Sequence, residues 1–522
     1  MTAKTRYDVL SSDRSQYLKI AEDSARLTIP YLIHQEDSAK GARSLTTPWQ
    51  GVGAKGVVTL AAKLMLSLLP PQTSFFKLQI ADKKLADEAP PEVVSDLDLA
   101  FAKIERIILD QIAASDDRVQ VHQAMKHLVV TGNALLFMGK EGMKLFPLNR
   151  YVIERDGNGN VLEIVTKEKI SKKIIEKLVP NLNKMDTNAD QDELNTDCDV
   201  YTHVKVDGTK VNWHQEVYDK IIPKSQGKSP KDATPWLPLR FNTVDGEDYG
   251  RGRVEEFIGD LKSLEALSQA LVEGSAAAAK VVFTVSPSSS TKPQTLAQAG
   301  NGAIIQGRPD DIGVVQVGKT ADFSTAYQVM QQLEKRLSEA FLILSVRQSE
   351  RTTAEEVRMT QLELEQQLGG LFSLLTVEFL VPYLDRKLSV MQKSGDIPRI
   401  PKEYVHPTIV AGINALGRGQ DRESLTMFMQ TIAQTIGPEA MMQFINPDEV
   451  IKRLAASSGI DVLNLVKSMQ EIQGQQQQQM QQQMAMQEQQ NAPAMAAVDQ
   501  KQQQAEMQMA MQQEQLRQQP PG

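Results

Sequence analysis

Asp248-Tyr249-Gly250-Arg251-Gly252 opens the stretch on which the reading of this chain turns, and that stretch runs to Leu344. Behind the glycines, Val254, Phe257, Ile258, Leu261, Leu264, Leu267 and Leu271 recur every three or four residues, one face of an α-helix. The small residues of Gly274-Ser275-Ala276-Ala277-Ala278-Ala279-Lys280 follow, where another backbone can come close. A helix from Val254 to Lys280 spans about 40 Å at its usual rise. That is longer than an ordinary domain needs, so it requires a return partner or copies of itself. The period then changes. Val281-Val282-Phe283-Thr284-Val285, Ala303-Ile304-Ile305 and Gly313-Val314-Val315-Gln316-Val317 are β-branched runs parted by Pro, Gly and Ser. A second helix returns with Tyr327, Met330, Leu333, Leu337, Phe341 and Leu344 on one face, and Asp322 or Ser324 is placed to cap its start. Two long helices tipped by a small β-unit make a protruding stalk. The β-unit is too small to hold a core alone, so the pattern predicts an oligomer.

Composition narrows the function classes. The chain has 522 residues, room for three or four domains, and 41% hydrophobic content supports sizeable cores. Uninterrupted apolar runs fall well short of about 18 residues, which predicts no membrane span. Met1-Thr2-Ala3-Lys4-Thr5-Arg6-Tyr7-Asp8 lacks the apolar centre of a secretory signal. The single cysteine, Cys198, excludes an internal disulfide framework and fits a reducing compartment. A net charge of −8 argues against a simple nucleic-acid binder, which would be basic. It remains compatible with a wall that phosphate passes without adhering.

Taken in order, residues 8–35 read as helical, with Leu18, Ile20, Ala21, Ala25, Leu27 and Ile29 ahead of Pro30. Gly51-Val52-Gly53-Ala54-Lys55-Gly56 fits the dinucleotide pattern G-x-G-x-x-G literally. Its context does not, because no strand precedes it and no acidic residue lies about 20 positions on to hold a ribose. The alternative is a flexible start to the helix Val57–Leu69. Phe75 to Ile80 reads as a strand, and 92–113 and 119–130 as helices up to Thr131-Gly132-Asn133. His122 and His127 lie five apart, on different helical faces rather than at zinc spacing. A β-meander is expected over 135–137, 144–146, 151–155 and 161–166, with Asp156-Gly157-Asn158-Gly159 as a hairpin turn. Residues 167–198 read as an exposed helix and loop. The hairpin 201–206 and 211–217 could bring His203 opposite His214, too few ligands for a metal. No nucleophile elbow or Walker loop occurs. Beyond the stalk, Thr353 and Glu356 have capping-box spacing. They open a helix over 354–391 that Gly369, Gly370 and Pro382 should kink. Helices are expected between 421 and 470. From Gln473 the chain is Gln, Met and Ala, either disordered or helical only against neighbours, with disorder the expectation.

Several segments carry a resemblance. They are Thr47-Pro48-Trp49-Gln50, Lys63-Leu64-Met65-Leu66, Thr131-Gly132-Asn133, Tyr249-Gly250-Arg251, Gly307-Arg308-Pro309-Asp310-Asp311-Ile312, Thr353-Ala354-Glu355-Glu356 and Gly417-Arg418-Gly419-Gln420-Asp421. In this order, spread over roughly residues 15–425, they resemble the head-to-tail connectors, or portal proteins, of short-tailed podoviruses of the autographivirus type. The resemblance implies an α+β, mainly helical phage portal fold in a ring of twelve at one capsid vertex of the virion, assembled in the host cytoplasm. It implies a wing (1–253 and 354–409), a stem helix pair (254–280 and 319–344) and a β-rich clip (281–318). A tunnel loop (345–353), an α-helical crown (410–470) and a tail (471–522) complete the division. The implied partners are the homododecamer, the major capsid protein, the terminase large subunit, tail adaptor and nozzle proteins, and scaffold and internal core proteins. Double-stranded DNA would pass without sequence readout; no enzyme activity, cofactor, metal or membrane is implied.

Site expectations follow from that resemblance. Glu255, Glu256, Asp260, Glu265 and Glu273 are candidate acids lining or flanking the tunnel. Arg347 and Arg351 are candidate phosphate contacts in the tunnel loop, unless each pairs with Glu350 or Glu355. Lys292, Arg308 and Lys319 are candidate docking cations of the clip. The competing readings are another virion component, such as a tail adaptor or scaffold, and a nucleotide-binding enzyme built on the 51–56 loop.

Overall fold

The apolar faces read from the sequence converge on one large core in a computed structural model. It describes residues 1–33, 45–70, 75–80, 91–140, 142–178, 197–278, 282–300, 304–306, 308–315, 320–343, 368–398, 405–408, 417–437, 445, 450–451, 454, 501–511 and 513. The chain divides into two units, Met1–Ala89 with Ala100–Gln420, and Pro90–Leu99 with Asp421–Gly522.

Helix α1 (Ala3–Arg26) begins ahead of the expected 8–35 span, because Thr2 accepts the Thr5 N–H and caps it. It stops at Leu27, short of Pro30. α2 (Val52–Leu68) follows, then β1 (Lys77–Ile80), α3 (Pro91–Ala114) and α4 (Asp117–Thr131). The expected meander is split. β2 (Asn133–Met138) is the central strand of one sheet, pairing with β3 (Met143–Phe146) on one side and β10 (Trp236–Arg240) on the other. A 3-10 turn at Leu148–Arg150 then carries the chain into a second sheet. That sheet holds β4 (Tyr151–Arg155), β5 (Val161–Ser171), β6 (Asp197–Asp207), β7 (Lys210–Val217), β8 (Lys220–Ile221) and β9 (Gly227–Pro230). β5 also runs past its expected end, because Lys167–Ser171 pair with Asp197–Tyr201 on β6. Only Lys172–Leu178, helix α5, bears out the helix expected within 167–198 among the described residues.

The stalk stretch forms α6 (Arg253–Glu256), a turn at Phe257, and α7 (Ile258–Ala278). β11 (Val282–Val285) and β12 (Ile312–Val315) pair antiparallel, with helix α8 (Pro293–Gln298) between them. Ile304 and Ile305 form no strand, so the middle β-run is corrected. α9 (Thr320–Ala340) starts before both proposed caps, which places Asp322 and Ser324 inside it. α10 (Leu368–Ser394) widens to a π-turn at Thr376–Leu380 immediately before Pro382. Proline has no N–H to donate and its ring crowds the carbonyl four residues back, so a wider turn there relieves both defects. Gly369 and Gly370 sit in the first described turn, away from that irregularity. α10 is apolar and long enough to cross a membrane by composition alone. Its Leu371, Leu375, Phe379, Leu380, Tyr383 and Leu384 are instead buried in the main core. β13 (Val405–Thr408) returns to pair with β1.

In the second unit, α11 (Gly417–Ile436, from Asp421 onward) leaves Met427 and Phe428 exposed. Residues 501–511, where disorder was expected, are helical and exposed at every position.

One crossing fixes the stalk to the body. Gly132 ends α4 with φ 75°, and its carbonyl accepts the Phe241 N–H at 2.9 Å. Asn133 Nδ2 donates to the Gly250 carbonyl at 2.8 Å, while its Oδ1 accepts the Gly250 N–H at 2.7 Å. A Cβ on Gly132 would stand 2.5 Å from Gly250 O and 2.6 Å from Gly252 N. Gly132→Ala should therefore lower unfolding free energy by more than the roughly 1–2 kcal/mol of left-handed strain alone. Chemical denaturation checks this, and an unchanged midpoint would show that the crossing can open freely.

Candidate functional site

Among the described residues, the stalk helices carry apolar groups that their own pairing leaves exposed. α7 and α9 pack antiparallel through matched contacts along their length. Asp260 pairs with Arg336 near the base. Ser268 Oγ donates to Met330 Sδ at 3.8 Å, and further out Gly274 lies under the Phe323 ring, 2.6 Å from where a Cβ would be. Leu261, Leu264, Leu337 and Phe341 are fully buried at the base. Burial then falls outward: Leu267 and Leu271 are half-buried, and Val272, Tyr327 and Val329 are 52%, 51% and 43% exposed. A helix pair that is apolar beyond its own seam asks for neighbours.

The base is seated by a ring on a glycine. Phe341 packs against Gly56 of α2, where a Cβ would stand 2.7 Å from the ring, and lies 6.0 Å from the Phe257 centroid. Gly53 has the Leu27 carbonyl 2.6 Å from its would-be Cβ. Two of the three glycines of G-x-G-x-x-G are thus occupied by packing, with no phosphate cradle left at Gly53 or Gly56. Arg253 lies over Phe257 and donates to the Ala340 carbonyl at 3.2 Å and to Glu256 at 2.6 Å, tying the two helices together. Arg251 is held by Glu247 and Glu255 and lies 4.7 Å from the Tyr17 ring. Its hydrogen bonds to Glu247 push its pKa up, and the same bonds draw that of Glu247 down. Leu342 ends α9 with φ 56°, and the Ile343 N–H returns to Ser338 O at 2.8 Å. That is a helix stop normally assigned to glycine, here filled by a buried leucine.

The five candidate acids are all engaged within the chain. Glu255 pairs with Arg251, Glu256 with Arg253 and Asn242, and Asp260 with Arg336. Glu265 accepts the backbone N–H groups of Trp49 and Gln50 at 2.9 and 3.3 Å, so it clamps the approach to α2. Glu273, exposed on α7, accepts from Gln269 at 2.9 Å. Lys292, just ahead of α8, and Arg308 are exposed within the segment joining β11 to β12. Lys319, Arg347, Arg351 and the Thr353–Glu356 box lie outside the described residues.

Sequence reasoning missed a buried charge cluster. Glu378, in the π-turn of α10, accepts from Arg240 Nη2 at 2.6 Å, Nε at 2.8 Å and the Arg240 backbone N–H at 2.8 Å, with Arg155 Nη1 at 3.8 Å. Burial pulls the Arg155 pKa down against the opposing pull of Glu378. The partners are far apart in sequence, so spacing carried no sign of them. His203 and His214 do face each other, with ring centroids 5.4 Å apart. His127 is buried and its pKa is pushed down to about 4 by loss of solvent. Among the described residues no group of three metal-ligating side chains converges.

Comparison with known proteins bears on most of the chain. The sequence model of the bacteriophage head to tail connecting protein family matches residues 1–466. The chain is 40% identical over 476 residues to the portal protein of Enterobacteria phage T3, covering 89% of this chain and 88% of that one. It is 38% identical over 485 residues to the portal protein of Escherichia phage T7, covering 90% and 89%. The portal protein of Enterobacteria phage SP6 is 30% identical over 429 residues, covering 81% and 82%. Among solved structures, the neck of an empty gene transfer agent particle aligns at TM-score 0.36 and 10% identity, covering 76% of this chain and 90% of that one. Likeness at that level adds nothing to the argument.

Phe341→Ala should cost about 3–5 kcal/mol, the range for deleting a buried ring, because Gly56 supplies no side chain to refill the space. Glu273→Gln, on the exposed face, should stay within about 0.5 kcal/mol. Denaturation of both variants checks this; equal effects would mean the ring is not the seat of the stalk.

Proposed function

The chain belongs to the family of bacteriophage head-to-tail connecting proteins, and from that membership we propose how its parts divide the work. As a connector it is a structural virion protein at a capsid vertex, with the capsid on one side and the tail on the other. In the proposal, twelve copies close a ring around a channel for double-stranded DNA. α7 and α9 form the stem, 281–318 the clip, 345–353 the tunnel loop, 410–470 the crown, and the remaining sheets and helices the wing. The observation that carries the reading is the outward loss of burial along the stem. Val272, Tyr327 and Val329 are large apolar groups left in water by a single chain, and copies packed side by side would cover them.

DNA passage rests on electrostatics. Each subunit brings a net −8, so the ring as a whole repels phosphate. Glu255, Glu256 and Asp260 are paired with arginines, whereas Glu265 and Glu273 accept only from neutral groups, which leaves these two as the acids most free to act on the channel field. Arg347 and Arg351 are the proposed phosphate contacts, touching backbone without reading bases. The clip, through Lys292, Arg308 and Lys319, would receive the packaging terminase first and the tail adaptor and nozzle later. Scaffold and internal core proteins would meet the ring inside the head, with assembly in the bacterial cytoplasm.

A head-filling assay tests the division. Arg347→Glu with Arg351→Glu should leave rings intact but reduce DNA packaged or retained by at least about tenfold, since each phosphate contact contributes to a salt-dependent grip. Rings lacking residues 282–315 should fail to recruit both terminase and tail adaptor. Normal filling by the first variant, or normal recruitment by the second, would refute the corresponding assignment.

A further inference from the structure

The first turns of α1 are held by a network that the connector reading leaves unused. Two glutamates of the larger sheet carry it. Glu163 on β5 accepts from Arg6 Nε at 2.8 Å, and its other oxygen meets His203 Nε2. Glu216 on β7 accepts the backbone N–H of Ala3 at 2.7 Å, and its other oxygen pairs with His214 Nε2 at 2.8 Å. Arg6 also reaches Glu154 on β4. His203 and His214 are direct cross-strand partners. Each histidine therefore shares a carboxylate with one donor from the start of α1.

The packing beneath is equally local. Ala3, Tyr7 and Leu10 form a small core with Val152, Val165 and Tyr201, separate from the main one. Leu18, Ala21 and Ala25, further along the same helix, belong to the main core. The helix is thus anchored twice, and its first anchor is small.

We propose that this network is an acid-sensitive latch, which frees the N-terminal turns of α1 from the sheet when His203 and His214 take up protons while the rest of the helix stays docked. The charged groups of the network are Glu163 and Glu216 against the histidines, Arg6 from α1 with its second partner Glu154, and Lys205 from β6 beside His203. With neutral histidines, three carboxylates face two cations. Protonation makes it four cations to three, places two positive rings 5.4 Å apart, and lets each histidinium compete with α1 for its glutamate. Burial already holds the His203 pKa below its usual value, against the upward pull of Glu163. Arg6 and His203 hold the Glu163 pKa down despite burial. A depressed histidine stabilises the docked state above the ordinary histidine pKa, and that contribution is lost as pH falls below it. A depressed glutamate loses its contribution at still lower pH. Both act in the same direction: acid loosens the latch.

Thiol labelling of the full-length assembly tests this. In a Cys198→Ala background, Leu10→Cys reports the small core, Ser12→Cys is the exposed reference, and Leu18→Cys reports the main core. The probe is 4,4′-dithiodipyridine, which reacts in acid as well as at neutral pH. Relative to Ser12→Cys, the Leu10→Cys rate should rise by about tenfold between about pH 7.5 and pH 5, across the histidine range. Leu18→Cys should stay slow at both. With His203→Gln and His214→Gln added, the rise should shrink to about twofold or less. His214→Gln alone should give an intermediate rise if the double variant does not fold. A flat Leu10→Cys ratio, an equal rise at Leu18→Cys, or an undiminished rise in the histidine variants would each overturn the latch.

Discussion

Two backbones cross at Gly132 and Gly250–Gly252 more closely than any side chain would allow, and the placement of the stalk depends on that crossing. Asn133 fixes its register by both donating to and accepting from Gly250. From the crossing, Arg251 and Arg253 lead directly into the first stalk helix and are paired at once with Glu247, Glu255 and Glu256. The second strut is Phe341 seated on Gly56. A long lever fixed at two points of its base can transmit load without bending its root. A connector needs that property if partners dock at one end while its body sits in a capsid.

Charge is handled differently along the molecule. At the root, two arginines, Arg251 and Arg253, hold three glutamates at 2.5–2.9 Å. In the body, Glu378 gathers Arg240 and Arg155 and pins the widened turn of α10 to β10, so the irregularity that Pro382 forces is also the point of attachment. The partly exposed pairs at the root contribute little each, whereas a buried carboxylate between two guanidinium groups is costly to break. The same sequence thus uses ion pairs for orientation at the surface and for attachment inside.

Much of this was legible because helix periodicity is local. The stripes at 254–271 and 327–341 are periodic enough to give the stalk, and their length already required neighbours. What was hidden is long-range. Nothing in the run 135–166 shows that a 3-10 turn at Leu148 sends its halves to different sheets, because pairing with β10 comes from residues about a hundred positions on. The glycine pattern at 51–56 reads as phosphate-binding only while Phe341 and the Leu27 carbonyl are unseen. Glu265 looks like a channel acid by its position on the helix, yet it caps the backbone at Trp49 and Gln50. Alternation did bring His203 opposite His214, since cross-strand register follows from a two-residue turn at Gly208.

The most direct test of the account is the mass of the purified assembly, measured by native mass spectrometry and viewed in projection by electron microscopy. The account predicts a closed ring with a central hole and twelve copies of the 57.9 kDa chain. A monodisperse monomer that stays monomeric on concentration would contradict it, because Val272, Tyr327 and Val329 would then be exposed without a neighbour to cover them.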